Sequence, residues 1–243
     1  GATSRSVTPT GSIARRRGLA RVLDAAATIA AVSDSFAEIY RKAGFPRMIA
    51  IPNGVPRLTP VARRESPTGR VRLGHIGGRT AHKGATLVEA ILRAGRFENL
   101  SLTLVDHARA TDYVSEETWG ATSVRIVGKV PQEQIGELYA EMDVLLAPSL
   151  WPESFGLVTR EARAAGLWVV ASRLGAIGED LDEGVNGFRV DVGSPDGLRA
   201  VFQRIDADPE RFRTSPPQPS QPPRTAADQG EDLIALYDRL LAP

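Results

Sequence analysis

The sequence predicts an α/β protein organised around a doubly wound parallel sheet, and three observations carry that prediction. Its 243 residues, 42% hydrophobic and 24% charged, suit an ordinary globular chain rather than a disordered one. Short apolar runs recur along it, and runs such as Val144-Leu145-Leu146 are continuous rather than alternating, as in strands buried on both faces. Most of these runs are followed by a helical pattern, and helices used as crossovers demand parallel strands.

Taken in order, residues 1–12 are rich in Thr, Ser and Gly and read as a disordered, tag-like start. Ile13 to Ala26 predicts a basic helix in which Arg15, Arg16, Arg17 and Arg21 alternate with Ile13, Leu19, Val22 and Leu23. A solvated arginine face explains it, and peripheral contact with a membrane surface is the sharper alternative. A strand over Thr28 to Val32 leads into a helix over Asp34 to Ala43, capped by Ser33 and closed by Gly44. Arg47 to Ile51 is a further strand, stopped by Pro52-Asn53-Gly54. Residues 13–55 thus form a first unit, and 56–70, with Pro56, Pro60, Pro67 and Gly69 and no periodicity, an interdomain connection.

The main domain spans 71–213. Its strands are expected at Val71–Ile76, Leu100–Val105, Ser123–Val127, Val144–Ala147, Trp168–Ala171 and Phe188–Val190. Five prolines mark 214–225 as a stiff spacer. Within the last segment, 226–243, Leu233, Leu236, Tyr237, Leu240 and Leu241 fall at helical spacing and need something to dock on.

A net charge of +1 gives no field that would argue for nucleic acid as a partner. With no cysteine there is no disulfide and no cysteine-ligated zinc, which suits a reducing compartment and makes the cytoplasm, or the cytoplasmic face of a membrane, the expected location. The longest largely apolar run, Ala25 to Val32, is far short of the roughly 18 residues of a membrane span.

Ligands of such sheets lie at the carboxyl ends of the strands, so the chemistry is sought there. After the first strand of the main domain comes Gly77-Gly78-Arg79-Thr80-Ala81-His82-Lys83-Gly84, then a helix over Ala85 to Ala94. A glycine loop at a helix N-terminus offers backbone N–H groups to phosphate, although neither the Walker A nor the dinucleotide spacing is present. Lys42, Lys83 and Lys129 are the only lysines, so a lysine beside this loop is selective, and its point charge suits a diphosphate oxygen. After the fourth strand runs Pro148-Ser149-Leu150-Trp151-Pro152-Glu153-Ser154-Phe155-Gly156-Leu157-Val158-Thr159-Arg160-Glu161. Two glutamates stand eight residues apart, and the amides of Phe155, Gly156 and Leu157 offer a second anion site. Asp180-Leu181-Asp182 and Asp206-Ala207-Asp208 imitate a metal-binding pair but sit near helix ends, and His75, His82 and His107 lack metal spacing and read as surface or turn residues.

The segment from Pro152 to Ala162 resembles the Glu-x7-Glu signature of retaining family 4 glycosyltransferases. Ile51-Pro52-Asn53-Gly54-Val55, Gly77 to Gly84, Val127-Gly128-Lys129-Val130, Asp143 to Ser149 and Gly184-Val185-Asn186-Gly187-Phe188 keep the family's order, so the likeness runs from about Thr28 to Phe212. It implies a GT-B enzyme of two facing Rossmann-like domains, of which this chain holds the C-terminal, donor-binding half and a remnant of the first. Glu161 is then expected to accept both ribose hydroxyls, Glu153 to hold the donor sugar's hydroxyls, and Lys83 to neutralise the diphosphate. Glu153 and Lys83 are the catalytic candidates. Gly77, Gly78, Arg79, Ser149, Phe155, Gly156 and Leu157 complete the nucleotide-sugar site. Gly78 stands where the family often has arginine, with Arg79 one place later as the second phosphate ligand. No metal or other cofactor is implied. The donor is a nucleotide sugar, and the acceptor, a glycan or glycolipid, would meet it through an N-terminal domain or partner subunit outside this chain, so that the chain alone is expected to bind donor without transferring it. A non-catalytic nucleotide-sugar-binding or scaffold module and a sugar-nucleotide isomerase of related fold are the competing readings.

Overall fold

The computed structural model describes residues 9–56, 61–217 and 222–242. Helix α1 (Pro9–Ala25) begins four residues before the predicted start, so residues 9–12 are helical rather than tag-like; proline is preorganised for a first helical turn. Residues 1–8 lie outside the described part. Strand β1 (Ile29–Ala31), helix α2 (Asp34–Lys42) and strand β2 (Met48–Ala50) form a small parallel βαβ unit around Ala31, Ala37 and Met48. The hydroxyl of Ser33 caps α2, accepting from the amide of Phe36 at 3.1 Å.

The main sheet has seven strands: β3 (Val71–His75), β4 (Leu100–Val105), β5 (Val114–Trp119), β6 (Thr122–Val127), β7 (Val144–Ala147), β8 (Trp168–Ser172) and β9 (Gly187–Val190). They lie in the order β5-β6-β4-β3-β7-β8-β9, with every pair parallel except β5 with β6. Counting only the parallel strands gives the 3-2-1-4-5-6 order of doubly wound sheets, whose direction reverses between β3 and β7. Helices α3 (Ala85–Ala94), α6 (Asp196–Ala207) and α7 (Pro209–Thr214) bury Val88, Leu92, Phe202 and Phe212 against one face. Helices α4 (Ile135–Ala140) and α5 (Leu157–Ala164) bury Tyr139 and Ala162 against the other.

One connection departs from the predicted βα repeat. Between β4 and β6 the chain makes no helix; it turns through 106–113 and lays down β5 as an antiparallel edge. The exposed residues of β5 alternate with half-buried ones up to Trp119, so no apolar run announces it.

The connection between units is pinned to the sheet. Buried Asp143 accepts from the backbone of Arg72 at 2.7 Å and pairs with the guanidinium groups of Arg72 (2.7 Å) and Arg63 (2.6 Å). Beyond α7 the proline-rich segment does not stand clear of the domain: Trp168 donates to the carbonyl of Ser215 and Pro217 is buried. Residues 218–221, with Pro219, lie outside the described part. The chain then returns to the first unit, where Val55 donates to the carbonyl of Arg224 at 2.8 Å, and helix α8 (Ala226–Leu241) starts there with a Thr225 capping box. Leu236 of α8 is buried, whereas Ile234, Tyr237 and Leu241 are exposed.

Candidate functional site

The reversal between β3 and β7 opens a crevice at the carboxyl ends of those strands, where such sheets receive ligands. The two loops with the candidate motifs flank it, one after β3 and one after β7. They are locked together by Gly84, whose left-handed φ of 81° brings it so close to the carbonyl of Pro148 that a Cβ would sit 2.1 Å from that oxygen. Leu150 donates to the carbonyl of His82 at 2.8 Å, and the Ser149 hydroxyl donates to the same oxygen at 3.1 Å.

Across the crevice the Lys83 ammonium pairs with Glu153 at 2.7 Å, with 36% and 17% of the two side chains exposed. The backbone of Glu153 is fixed from behind: its carbonyl accepts from Ala176 at 2.8 Å, and Gly175, at φ 66°, passes so close that a Cβ would stand 2.4 Å from that carbonyl. The next carbonyl, of Ser154, accepts from the Ser33 hydroxyl at 2.6 Å, so the start of α2 braces the same loop. Nearby, Glu179 accepts from the Ser35 hydroxyl at 2.6 Å and pairs with Arg160 at 3.0 Å.

Glu161 lies on α5, 6% exposed. One of its oxygens accepts from the Tyr139 hydroxyl at 3.1 Å; the other, Oε1, is buried without a hydrogen-bond partner among the described residues. Burial pushes its carboxyl above the ordinary value of 4.5, while Tyr139 and the neighbouring Gln132 amide act in the opposite sense. Burial and this carboxylate in turn push the Tyr139 phenol up. Gly156 caps α5 without a side chain, so the first-turn N–H groups of Leu157 and Val158 face the crevice end of the helix.

The other candidates divide. Gly77 lies in the crevice wall with Lys83, Ser149 and Glu153. Gly78 has a φ of 68° and donates to the carbonyl of Val105 at 3.1 Å. The Ser149 hydroxyl hydrogen-bonds within the loop, and the buried Phe155 ring lies 3.9 Å from the Arg160 guanidinium. Arg79 is not brought to Lys83: it pairs with Glu89 (3.1 Å) and Glu117 (3.6 Å) and lies over Trp119, drawn away by carboxylates of α3 and β5. Asp180 is engaged by Arg160 and Arg163, and Asp206 by the amide of Asn99. No cluster of three or more metal-ligating side chains occurs among the described residues.

His75 also corrects the sequence expectation, being buried (1% exposed) rather than a surface or turn residue. Its Nδ1 lies 3.1 Å from the carbonyl of Leu146, while Nε2 has no partner among the described residues and lies 2.9 Å from where a Cβ on Gly77 would stand. Burial pushes its pKa below the usual 6.5, aided by Lys83 and His107, so the ring is neutral beneath the glycine loop. His75, Tyr139 and Gly175 carry no motif; their place inside apolar runs or beside a turn is the only trace they leave in the sequence.

A family model described as glycosyl transferases group 1 matches residues 70–208. The chain is 28% identical over 209 residues to a D-inositol 3-phosphate glycosyltransferase of Corynebacterium urealyticum, covering 77% of this chain and 48% of that protein. It is 34% identical over 128 residues to a phosphatidyl-myo-inositol mannosyltransferase of Mycobacterium tuberculosis, covering 49% of this chain and 34% of the relative. The chain thus spans half or less of the length of these two relatives. Its fold is similar to part of sucrose-phosphate synthase from Thermosynechococcus elongatus (TM-score 0.77, 22% identity, 95% of this chain and 62% of the other). It also matches Anabaena HepE, solved with UDP-glucose (TM-score 0.72, 22% identity, 96% and 70%). No described helix is long and apolar enough to cross a membrane. Since the family model covers more than half of the sequence, from the start of β3 to the end of α6, the chain belongs to the glycosyl transferases group 1 family.

Proposed function

We propose that the crevice between β3 and β7 is the donor site of a retaining, family 4-type glycosyltransferase, taking a nucleoside diphosphate sugar without a metal ion. The observation that carries this reading is the Glu161 carboxylate on α5, the helix that follows the Glu153 loop: it is buried, with Oε1 unpartnered and no cation paired to it among the described residues. A buried acceptor of this kind is costly unless a ligand supplies donors, and a ribose diol does so. Lys83 then leaves Glu153 to face the diphosphate, together with the first-turn amides of α5, and Glu153 is released to accept hydroxyls of the sugar.

In the transfer step the acceptor oxygen bonds to the anomeric carbon as the bond from that carbon to the diphosphate oxygen breaks, on the same face of the ring. The acceptor's proton passes to the departing diphosphate, whose charge Lys83 and the helix amides stabilise. The acceptor is a saccharide or a lipid-linked sugar, as for a transferase working in the cytoplasm or at its membrane face. The basic α1 is the element suited to peripheral membrane contact.

Calorimetry of this chain against UDP, GDP and ADP, and against a sugar nucleotide of the base that binds, tests the reading. Binding of one nucleotide is expected, unchanged by EDTA and weakened by salt. Transfer by the chain alone is expected to be absent. Failure to bind any nucleotide, or affinity that collapses in EDTA and returns with manganese, overturns it.

A further inference from the structure

Trp151 is set apart from the other two tryptophans. Trp119 and Trp168 are buried, at 0% and 3% exposed, whereas Trp151 is 67% exposed and has no aromatic or cationic partner among the described residues. A loose loop does not explain this. The Ser149 hydroxyl lies 3.1 Å from the Trp151 carbonyl and 3.4 Å from its amide, the loop is tied twice to the carbonyl of His82, and prolines precede and follow it at 148 and 152. The chain thus holds a large apolar ring in solvent on a fixed support, at the mouth of a recess of about 390 Å³. Phe36, reaching over from α2, lines the same recess, and His82, Lys83, Glu153 and Ser154 supply its polar edge.

We infer that this recess is a saccharide subsite in which the Trp151 indole stacks on the acceptor's sugar ring beside the Lys83–Glu153 pair. A pyranose has an apolar face of C–H groups and a rim of hydroxyls, and the recess offers the same division: aromatic surface from Trp151 and Phe36, hydrogen-bonding groups at the edge. Its volume lies near the lower end of the roughly 300 to 1,000 Å³ usual for small-ligand sites, so one or two rings are accommodated there. The Lys83–Glu153 pair and His82 are ill suited to a lipid chain, which gains nothing from such neighbours. The inference rests on the donor reading above and adds to it the group that faces the acceptor.

Saturation-transfer NMR on this chain, with methyl α-D-glucopyranoside and maltose as probes and the binding nucleotide present, tests it. Saturable transfer to the ring protons is expected in the wild type. Trp151→Phe should keep it, and Trp151→Ala should weaken the probes' affinity by about 2-fold to 12-fold, the range of a lost aromatic contact. Nucleotide affinity should be unchanged in both variants, which also shows that they fold. The subsite is overturned if the wild type shows no saturable transfer, if Trp151→Ala binds the probes as well as the wild type, or if nucleotide displaces them. It is equally overturned if Trp151 emission shifts to the blue on phosphatidylglycerol vesicles and not with sugar, the sign of a lipid contact. Nucleotide binding without sugar contact defeats the subsite alone; sugar contact without nucleotide binding upholds the subsite and defeats the donor reading.

Discussion

Glu153 and Glu161 are one residue type eight positions apart in one segment, yet the fold gives them opposite surroundings. Glu153 stands on a braced loop, half-buried, its charge answered by Lys83 at 2.7 Å. Glu161, buried on α5, is answered only by neutral groups, the Tyr139 phenol and the nearby Gln132 amide, with Oε1 unpartnered among the described residues. A ligand arriving at Glu153 must take over an existing ion pair, whereas one arriving at Glu161 completes an incomplete one-sided contact. The exchange at Glu153 is close to balanced, and the gain at Glu161 is large, because the cost of desolvating the carboxylate has already been met in folding. The two positions should therefore differ in how strongly, and to which part of a ligand, they respond.

The sharpest break of that contrast is Glu161→Ala. It should weaken nucleotide and nucleotide sugar alike by roughly 10-fold to 150-fold, the loss of charged hydrogen bonds of about 1.5 to 3 kcal/mol, read by calorimetry on both ligands. Glu153→Ala should leave the free nucleotide nearly unchanged and weaken only the sugar nucleotide, by about 2-fold to 12-fold, since the ion pair it replaces offsets part of the gain. Equal losses for both ligands in both variants would erase the distinction. A smaller effect concerns the empty protein. Glu161→Gln removes a buried charge and should raise the melting temperature by about 2 to 4 °C, the shift that ~1 kcal/mol produces in a chain of this size, while ligand binding falls.

The smallest effect separates the site's two buried titratable groups by the sign of their pH dependence. The folded state holds the Glu161 proton more tightly than the unfolded chain does, so Glu161 costs stability as pH rises past 4.5 through its raised pKa. His75 acts at the other limb: the folded state resists its protonation, so stability falls as pH drops below 6.5 toward its lowered pKa. Melting curves of His75→Asn across that window should lose this fall, a difference of about 1 to 2 °C. A wild-type curve flat between neutral and mildly acid pH would remove the buried histidine from the account.

Much of this was open to reading from the residues, for physical reasons that differ by element. Strands β4 and β7 and helix α3 have the bounds their apolar patterns predict, because continuous burial and 3.6-residue periodicity leave strong traces. The sequence placed Lys83 and Glu153 on two loops at the carboxyl ends of the strands, but not the ion pair between them, which the structure adds. Strand β5 was illegible because its pairing is made by backbone groups while Glu116, Glu117 and Thr118 meet solvent or other charges. The partners of Arg79 were not legible because spacing from the glycines fixes where its backbone lies, not which carboxylates capture its guanidinium; Glu89 and Glu117 lie 10 and more positions away. The partners that set the state of Glu161 and the backbone of Glu153 are likewise tertiary: Tyr139 from the preceding helix and Gly175 from beyond the next strand.

The antiparallel β5 has a consequence for how the protein behaves in a crowded solution. A parallel sheet that ended at β6 would present a regular row of unpaired amides and carbonyls to any passing strand. Here the outermost position is taken by a six-residue antiparallel strand that exposes Val114 and Glu116, while Glu117, on the opposite face, is answered by Arg79 and Arg93; a second copy approaching edge to edge would meet the Glu116 charge, unanswered among the described residues. The strand that looked least like a strand is thereby the one that guards the open edge of the sheet, and Glu116→Thr is expected to favour edge-to-edge self-association, read as a rise in apparent mass with concentration.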